Sequence, residues 1–256
     1  MNHMSPSILL YHDVAHEMSV ISTPDEVFRA QMKWLMQAGI DVLEINEVLI
    51  RLADNKPVPS KSVCLTFDDG LAGVYQHAFP ILREYGFPAV LFLVTGYCGQ
   101  KNNWPGQPED FRGMPMVTWE QVRELERGGL TIGAHTINHP RLDQLPAVEI
   151  QRELQGANES ITACINKPVE WFAYPYGRYN SLVRKEVQSL YHGACSTQLT
   201  AIKKDSDRFQ LPRIDAYYLL NPFAFRLLNS RAFPFYLAIR RILRAAGGFA
   251  YNREWD

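Results

Sequence analysis

The chain has 256 residues, with 26 Lys and Arg set against 27 Asp and Glu, and is nearly neutral. That balance excludes a strongly basic nucleic-acid binder, and the size suits one large α/β domain, with or without an appendage, around a substantial core. No apolar run is long enough to cross a bilayer.

The first six residues lack the basic region and long apolar core of a secretory signal. The expected location is therefore the cytoplasm or the cytoplasmic face of the membrane, while a trimmed mature form would belong to the envelope. Residues 8–11 read as the first strand, which delivers His12 and Asp13 at its end. Thr23-Pro24-Asp25-Glu26 carries a helix-start signature: Thr as cap, Pro at the first position, Glu three residues after the cap. The predicted helix runs to about residue 38, where Gly39 stops it, and Phe28, Met32, Leu35 and Met36 fall on its core face. A short strand at 41–43, a helix at 45–52 and a loop at 56–60 lead to an apolar strand at 63–67.

Residues 74–85 predict a helix bent near Pro80, with His77 a surface or packing residue. A strand at 87–94 follows. The stretch 96–116 is rich in Gly, Pro and Asn, and a loop of that length is often functional. Its Trp104 and Phe111 suit either stacking on sugar faces or ordinary loop packing. Thr118-Trp119-Glu120-Gln121 repeats the helix-start signature, and that helix ends at Gly128-Gly129. A strand at 130–132, helix at 147–165, strand at 170–174, helix at 181–190, strand at 193–197 and closing strand at 211–215 complete the pattern. Strands alternating with helices predict a mainly parallel sheet.

Cys64, Cys98, Cys164 and Cys195 show no CxxC or zinc-finger spacing, so buried free thiols are expected. From 223 to 251 the chain holds Arg226, Arg231, Arg240, Arg241 and Arg244 and no acidic residue. The favoured reading is a helix packed on the domain with its arginines outward. The other is an amphipathic helix for an anionic membrane surface or a partner.

Two segments carry chemistry. Thr66-Phe67-Asp68-Asp69-Gly70 ends a buried strand in two carboxylates, and strand C-termini are where α/β proteins gather their chemistry. On extended backbone the two acids point different ways, so one can bind a metal while the other handles a proton. The second segment is His135-Thr136-Ile137-Asn138-His139-Pro140. Two histidines four apart can share one face of a helical turn and hold one cation; with one carboxylate they make a set that leaves positions open for water and substrate.

These two motifs, in this order and at this separation, resemble the polysaccharide deacetylase family (NodB homology, carbohydrate esterase 4). The resemblance extends through Phe172-Ala173-Tyr174-Pro175-Tyr176-Gly177, similar to the family's third motif. It implies a distorted (β/α) barrel with fewer than eight full units, covering residues 5–218, followed by a basic extension at 219–256. It implies one divalent metal, zinc or another such as cobalt or nickel, on Asp69, His135 and His139, with Asp68 as general base. Pro175 and the Tyr176 N–H would serve the oxyanion, and Thr136 would orient the histidine loop or bind a substrate oxygen. His12 would be the general acid, since some relatives carry a Tyr-His pair near the chain start where others use a late Leu-x-His, absent here. The sequence departs from the family at Ala173, where many relatives have an Arg that positions the base. Arg213 is the candidate replacement by position. A tryptophan-containing fourth motif has no clear counterpart.

The implied reaction is hydrolysis of N-acetyl groups on an amino-sugar glycan in envelope or exopolysaccharide metabolism. Alternatives are deacylation of a lipid-linked sugar, hydrolysis of a small amide or ureide, and a silent glycan-binding module. Intact Asp68, Asp69, His135 and His139 argue against the last.

Overall fold

The computed structural model describes residues 6–19 and 21–245. In chain order its first elements are β1 (Ser7–Tyr11), β2 (Asp13–Ala15), β3 (Ser22–Pro24), α1 (Asp25–Gln37), β4 (Asp41–Val42), α2 (Ile45–Ala53) and β5 (Ser62–Phe67). Next come α3 (Phe79–Tyr85), β6 (Val90–Leu93), α4 (Trp119–Arg127), β7 (Thr131–Ala134), α5 (Ala147–Ile165) and β8 (Trp171–Ala173). The last are α6 (Ser181–Leu190), β9 (Gly193–Cys195), β10 (Ile214–Asp215), α7 (Pro222–Arg226) and α8 (Phe233–Ala245).

One parallel sheet runs in the order β10-β1-β5-β6-β7-β8-β9, and β4 adds beside the first residues of β5. The segment before β10 closes the ring, because Leu211 bridges to Cys195 at the end of β9 while Ile214 pairs with Leu9 of β1. The result is a distorted (β/α) barrel. β1, β5, β6, β8 and β9 are buried at every position, as a sheet covered on both faces requires. Side chains then sort with period two. Ile8, Cys64, Val90, Phe92, Trp171, Ala173, Cys195 and Leu211 pack together inside, closed at one end by Ile45 and Val48 of α2. Leu9, Leu65, Leu91, Phe172 and Ala194 face the surrounding helices.

Several local expectations change. Thr23 does not cap α1: it is paired with Val14 in the short β2–β3 ladder, so Pro24 takes the cap position and offers the helix end no side-chain hydrogen bond. Met36 lies on the exposed side of α1, while Phe28, Met32 and Leu35 are buried. The helix before Pro80 is a π turn, Val74–Ala78, and Pro80 sits in the first turn of α3 where its missing N–H costs nothing. The capping box at Thr118 forms in full, with Gln121. All four cysteines are free; burial pushes the Cys98 and Cys195 thiols up to about 12, which keeps them protonated. The C-terminal arginines do not all point outward. Arg240 lies over the rings of Tyr218 and Tyr236, and Arg244 donates to the Thr197 carbonyl. Residues 246–256 of the predicted extension lie outside the described residues.

Candidate active site

The C-terminal ends of β1, β5, β7 and β8, together with β10, meet around a cavity of about 300 Å³. His12, Asp68, Asp69, His135, His139, Tyr176, Arg213 and Asp215 line it.

The Asp pair reaches the cavity by a route that alternation does not predict. Asp68 is still held in the sheet, its N–H donating to the Tyr11 carbonyl at 2.9 Å. Asp69 then turns into the left-handed region at φ 71°, so its carboxylate swings to the same side as that of Asp68 instead of the opposite one. Gly70 follows at φ 92°, a conformation that strains any residue with a Cβ, and a Cβ there would sit 2.8 Å from Leu93 Cδ2.

His135 and His139 do not share a helical turn. They sit on a loop in which Thr136 (φ 71°) and His139 (φ 55°) are both left-handed. Of six left-handed residues other than glycine among the described residues, four are Asp69, Thr136, His139 and Tyr176. Strain of this kind gathers where a site over-determines its backbone. Glu153 of α5 holds the loop: its carboxylate accepts the N–H groups of Ile137 and Asn138, both at 2.9 Å, and the Asn138 amide at 2.7 Å. Thr136 is fully buried, and its hydroxyl donates to the His135 carbonyl and accepts from the His139 N–H. Of its two expected roles, orienting the loop is the one this placement provides; it does not line the cavity. Trp104 is also fully buried and packs its ring 4.8 Å from that of His139, so it serves loop packing.

The donor set fits a divalent metal. His135 Nδ1 lies 2.7 Å from the Ala173 carbonyl, which can only accept, so that nitrogen carries the proton and the Nε2 lone pair faces the cavity. His139 Nε2 lies 3.2 Å from His135 Nε2, and Asp69 Oδ1 lies 3.6 Å and 3.5 Å from the two. Metal–ligand bonds of about 2.0–2.1 Å in a tetrahedron give ligand–ligand edges of about 3.3–3.4 Å, close to these three separations. Burial above all holds His139 well below the ordinary imidazole range, the neutral form a metal needs. Burial raises Asp69, and the neighbouring Asp68 charge adds to it; a cation is what such a carboxylate lacks.

Asp68 has a different environment. Arg213 Nη1 and Nη2 donate to its two oxygens at 2.6 Å and 2.7 Å, while Arg213 Nε donates to the Ser196 carbonyl at 3.1 Å. The guanidinium lies inside the barrel, 5.5 Å over the Phe92 ring, with none of its side chain exposed. It reaches Asp68 from the closing strand, whereas Ala173 offers only its carbonyl, to His135. Burial works to raise Asp68, but Arg213 and His135 outweigh it and hold the carboxyl below its usual range. It is therefore charged at neutral pH and, with four acceptor positions, can still accept a proton beside Arg213.

Tyr176 follows Pro175 in a tight turn at φ 58°. Gly177 is required next, since a Cβ there would meet Thr197 Oγ1 at 2.0 Å. His12 lies between β1 and β2 on the cavity wall beside Asp215, whose carboxyl burial raises. Sequence reasoning missed Glu153, Asp215 and Arg244, which also lines the cavity. Glu153 and Arg244 read as polar positions on amphipathic helices, and no spacing rule marks them.

A parallel barrel with a two-His-one-Asp set and an Arg-held second Asp at its strand ends defines a class of hydrolase. The profile of the polysaccharide deacetylase family matches residues 55–193, and the chain belongs to that family. YxkH of Bacillus subtilis (strain 168), named for the same family, is 30% identical over 208 residues, covering 81% of this chain and 70% of its own. The poly-β-1,6-N-acetyl-D-glucosamine N-deacetylase of Staphylococcus aureus (strain MSSA476) is 26% identical over 221 residues, covering 81% and 72%. Among solved structures, the Streptococcus pyogenes deacetylase PplD in complex with acetate superposes with a TM-score of 0.72 at 26% identity, over 82% of this chain and 92% of that one. IcaB from Ammonifex degensii shares the fold, with a TM-score of 0.75 at 24% identity over 88% and 95%.

Proposed function

We propose that this chain hydrolyses N-acetyl groups on an amino-sugar glycan, with one divalent metal, zinc best suited, on Asp69, His135 and His139. The observation that carries the reading is the convergence of that donor set and the Arg213-held Asp68 in one cavity. The S. aureus relative, named for a poly-N-acetylglucosamine, supports the substrate class.

The metal, when bound, supplies Lewis acidity toward the amide carbonyl and lowers the pKa of water to about 7. Asp68 takes the proton from the attacking water; Arg213 fixes the carboxylate's plane and keeps it charged beforehand. The Tyr176 N–H stabilises the developing oxyanion, and the left-handed turn after Pro175 aims it. His12, across the cavity, protonates the departing amine. Asp215 lies beside it on the cavity wall. Tyr176 and Arg178 on the wall offer a ring face and donors to the sugar.

The test is acetate release from N-acetylglucosamine oligomers of several lengths, using chelated protein reloaded with zinc, cobalt, nickel or nothing. Metal-dependent release supports the reading. Stoichiometric metal binding without release on any oligomer would overturn the substrate class. Absence of metal binding would overturn the enzyme and leave a glycan-binding module.

A further inference from the structure

Helix α8 has two apolar sides. Phe233 and Leu237 are buried against the barrel, and the Tyr236 hydroxyl donates to the Tyr218 carbonyl. A second stripe, Phe235, Ile239 and Ile242, is spaced four and three residues apart and so runs along one face. That face points outward: the three are 74%, 58% and 68% exposed, and Phe223 of α7 is 78% exposed. Leu243 adds to the same surface. Of the ten large exposed hydrophobic residues among the described residues, these are five. Apolar side chains concentrated in this way mark a surface with a partner.

The charge pattern identifies it. Residues 216–245 contain five arginines and no Asp or Glu, whereas the whole chain has a net charge of −1, so the rest of the molecule is net acidic. Arg226, Arg231 and Arg241 are exposed beside the apolar stripe. A second copy would bring the same arginines face to face, an unfavourable pairing across a symmetric contact. A surface that is apolar in depth and anionic at its edge accepts both features at once, and a bilayer with anionic headgroups has that form.

We infer that α8, with Phe223 of α7, is an in-plane docking surface for an anionic lipid bilayer: Phe235, Ile239 and Ile242 enter the headgroup boundary and Arg226, Arg231 and Arg241 meet lipid phosphates. Arg244 ties the docked helix to the catalytic cavity, which it lines while donating to the Thr197 carbonyl at 3.2 Å. Docking therefore holds the cavity beside the membrane, where it would work on glycan at that surface. The inference stands on the helix alone and is independent of the deacetylase reading.

The experiment is co-sedimentation of the full chain with phosphatidylcholine vesicles, with and without phosphatidylglycerol, across a salt series. Binding is expected to the anionic vesicles and to weaken as salt screens it. The triple variant Phe235→Ser, Ile239→Ser, Ile242→Ser should lower the bound fraction at least about tenfold. Arg231→Glu with Arg241→Glu should lower it on anionic vesicles only. Unchanged Tm and unchanged acetate release from soluble oligomers in these variants would show that the fold is kept. Three results would overturn the inference: no co-sedimentation of the full chain at low salt, binding that both variants retain, or a dimer that the triple variant dissolves. Vesicle binding seen only after truncation beyond Ala245 would also overturn it, by making residues 246–256 the occupant of the face.

Discussion

Two clusters in this molecule have the same composition, two histidines and one aspartate, with donor atoms close enough to hold one ion: Asp69 with His135 and His139, and Asp25 with His16 and His77. In the first, every side chain is buried, the Ala173 carbonyl fixes one imidazole tautomer, and Glu153 pins the loop between the histidines. In the second, His16 is exposed, and His77 and Asp25 are partly so. His16 Nδ1 lies 3.0 Å from Asp25 Oδ2 and His77 Nδ1 lies 3.9 Å from it, an ion pair that water can replace. Residue type is thus only the first requirement for a metal centre. Exclusion of water and a second layer of orienting bonds separate one cluster from the other.

The sharpest break should come at the buried cluster. Asp69→Ala or His135→Ala should abolish both metal retention after dialysis, read by elemental analysis, and acetate release; retained stoichiometric metal would remove these residues from the donor set. Next is Asp68→Asn, which removes the proposed base and leaves the proposed donors in place. Turnover should fall on the order of 10²–10⁴-fold with metal content unchanged. Activity within a few-fold of wild type would exclude Asp68 as the base.

Arg213→Met tests whether burial makes a pair indispensable. It strands a buried carboxylate, which costs about 3–5 kcal/mol, a fall in Tm on the order of 10 °C at neutral pH. The sign with pH follows from the depressed Asp68 pKa. Its contribution is fully present above the ordinary carboxylate value of about 4 and is lost as pH falls through the folded pKa. The Tm gap between wild type and Arg213→Met should therefore be widest near neutrality and close below about pH 4. A gap that stays constant with pH would mean that the pair does not hold Asp68 charged. The smallest effect belongs to the exposed cluster. His16→Ala should leave metal stoichiometry unchanged and turnover within about twofold, as an exposed pair contributes about 0–1 kcal/mol; loss of a second metal equivalent would show that the surface set also binds.

The helices, the strands and the parallel order were legible because each depends on neighbours in sequence: apolar periodicity, the Thr118 capping box, the Gly39 stop. So were the residue types of the site, since strand ends in a barrel collect chemistry and the two motifs stand in family order. The Thr23 cap was misread for a reason of the same kind in reverse. A local signature lost to a tertiary pairing, the β2–β3 ladder.

From its sequence alone, then, this chain specifies a parallel barrel and places Asp68, Asp69, His135 and His139 at its strand ends, because local patterning determines where strands stop. Only the tertiary structure decided that a left-handed Asp69 turns both carboxylates into one cavity and that the histidines meet through a strained loop anchored by Glu153. It likewise decided that Arg213, 145 residues from Asp68, supplies the cation that Ala173 does not. Those outcomes depend on barrel closure, which brings β10 beside β1 and buries a charge pair no local rule could match.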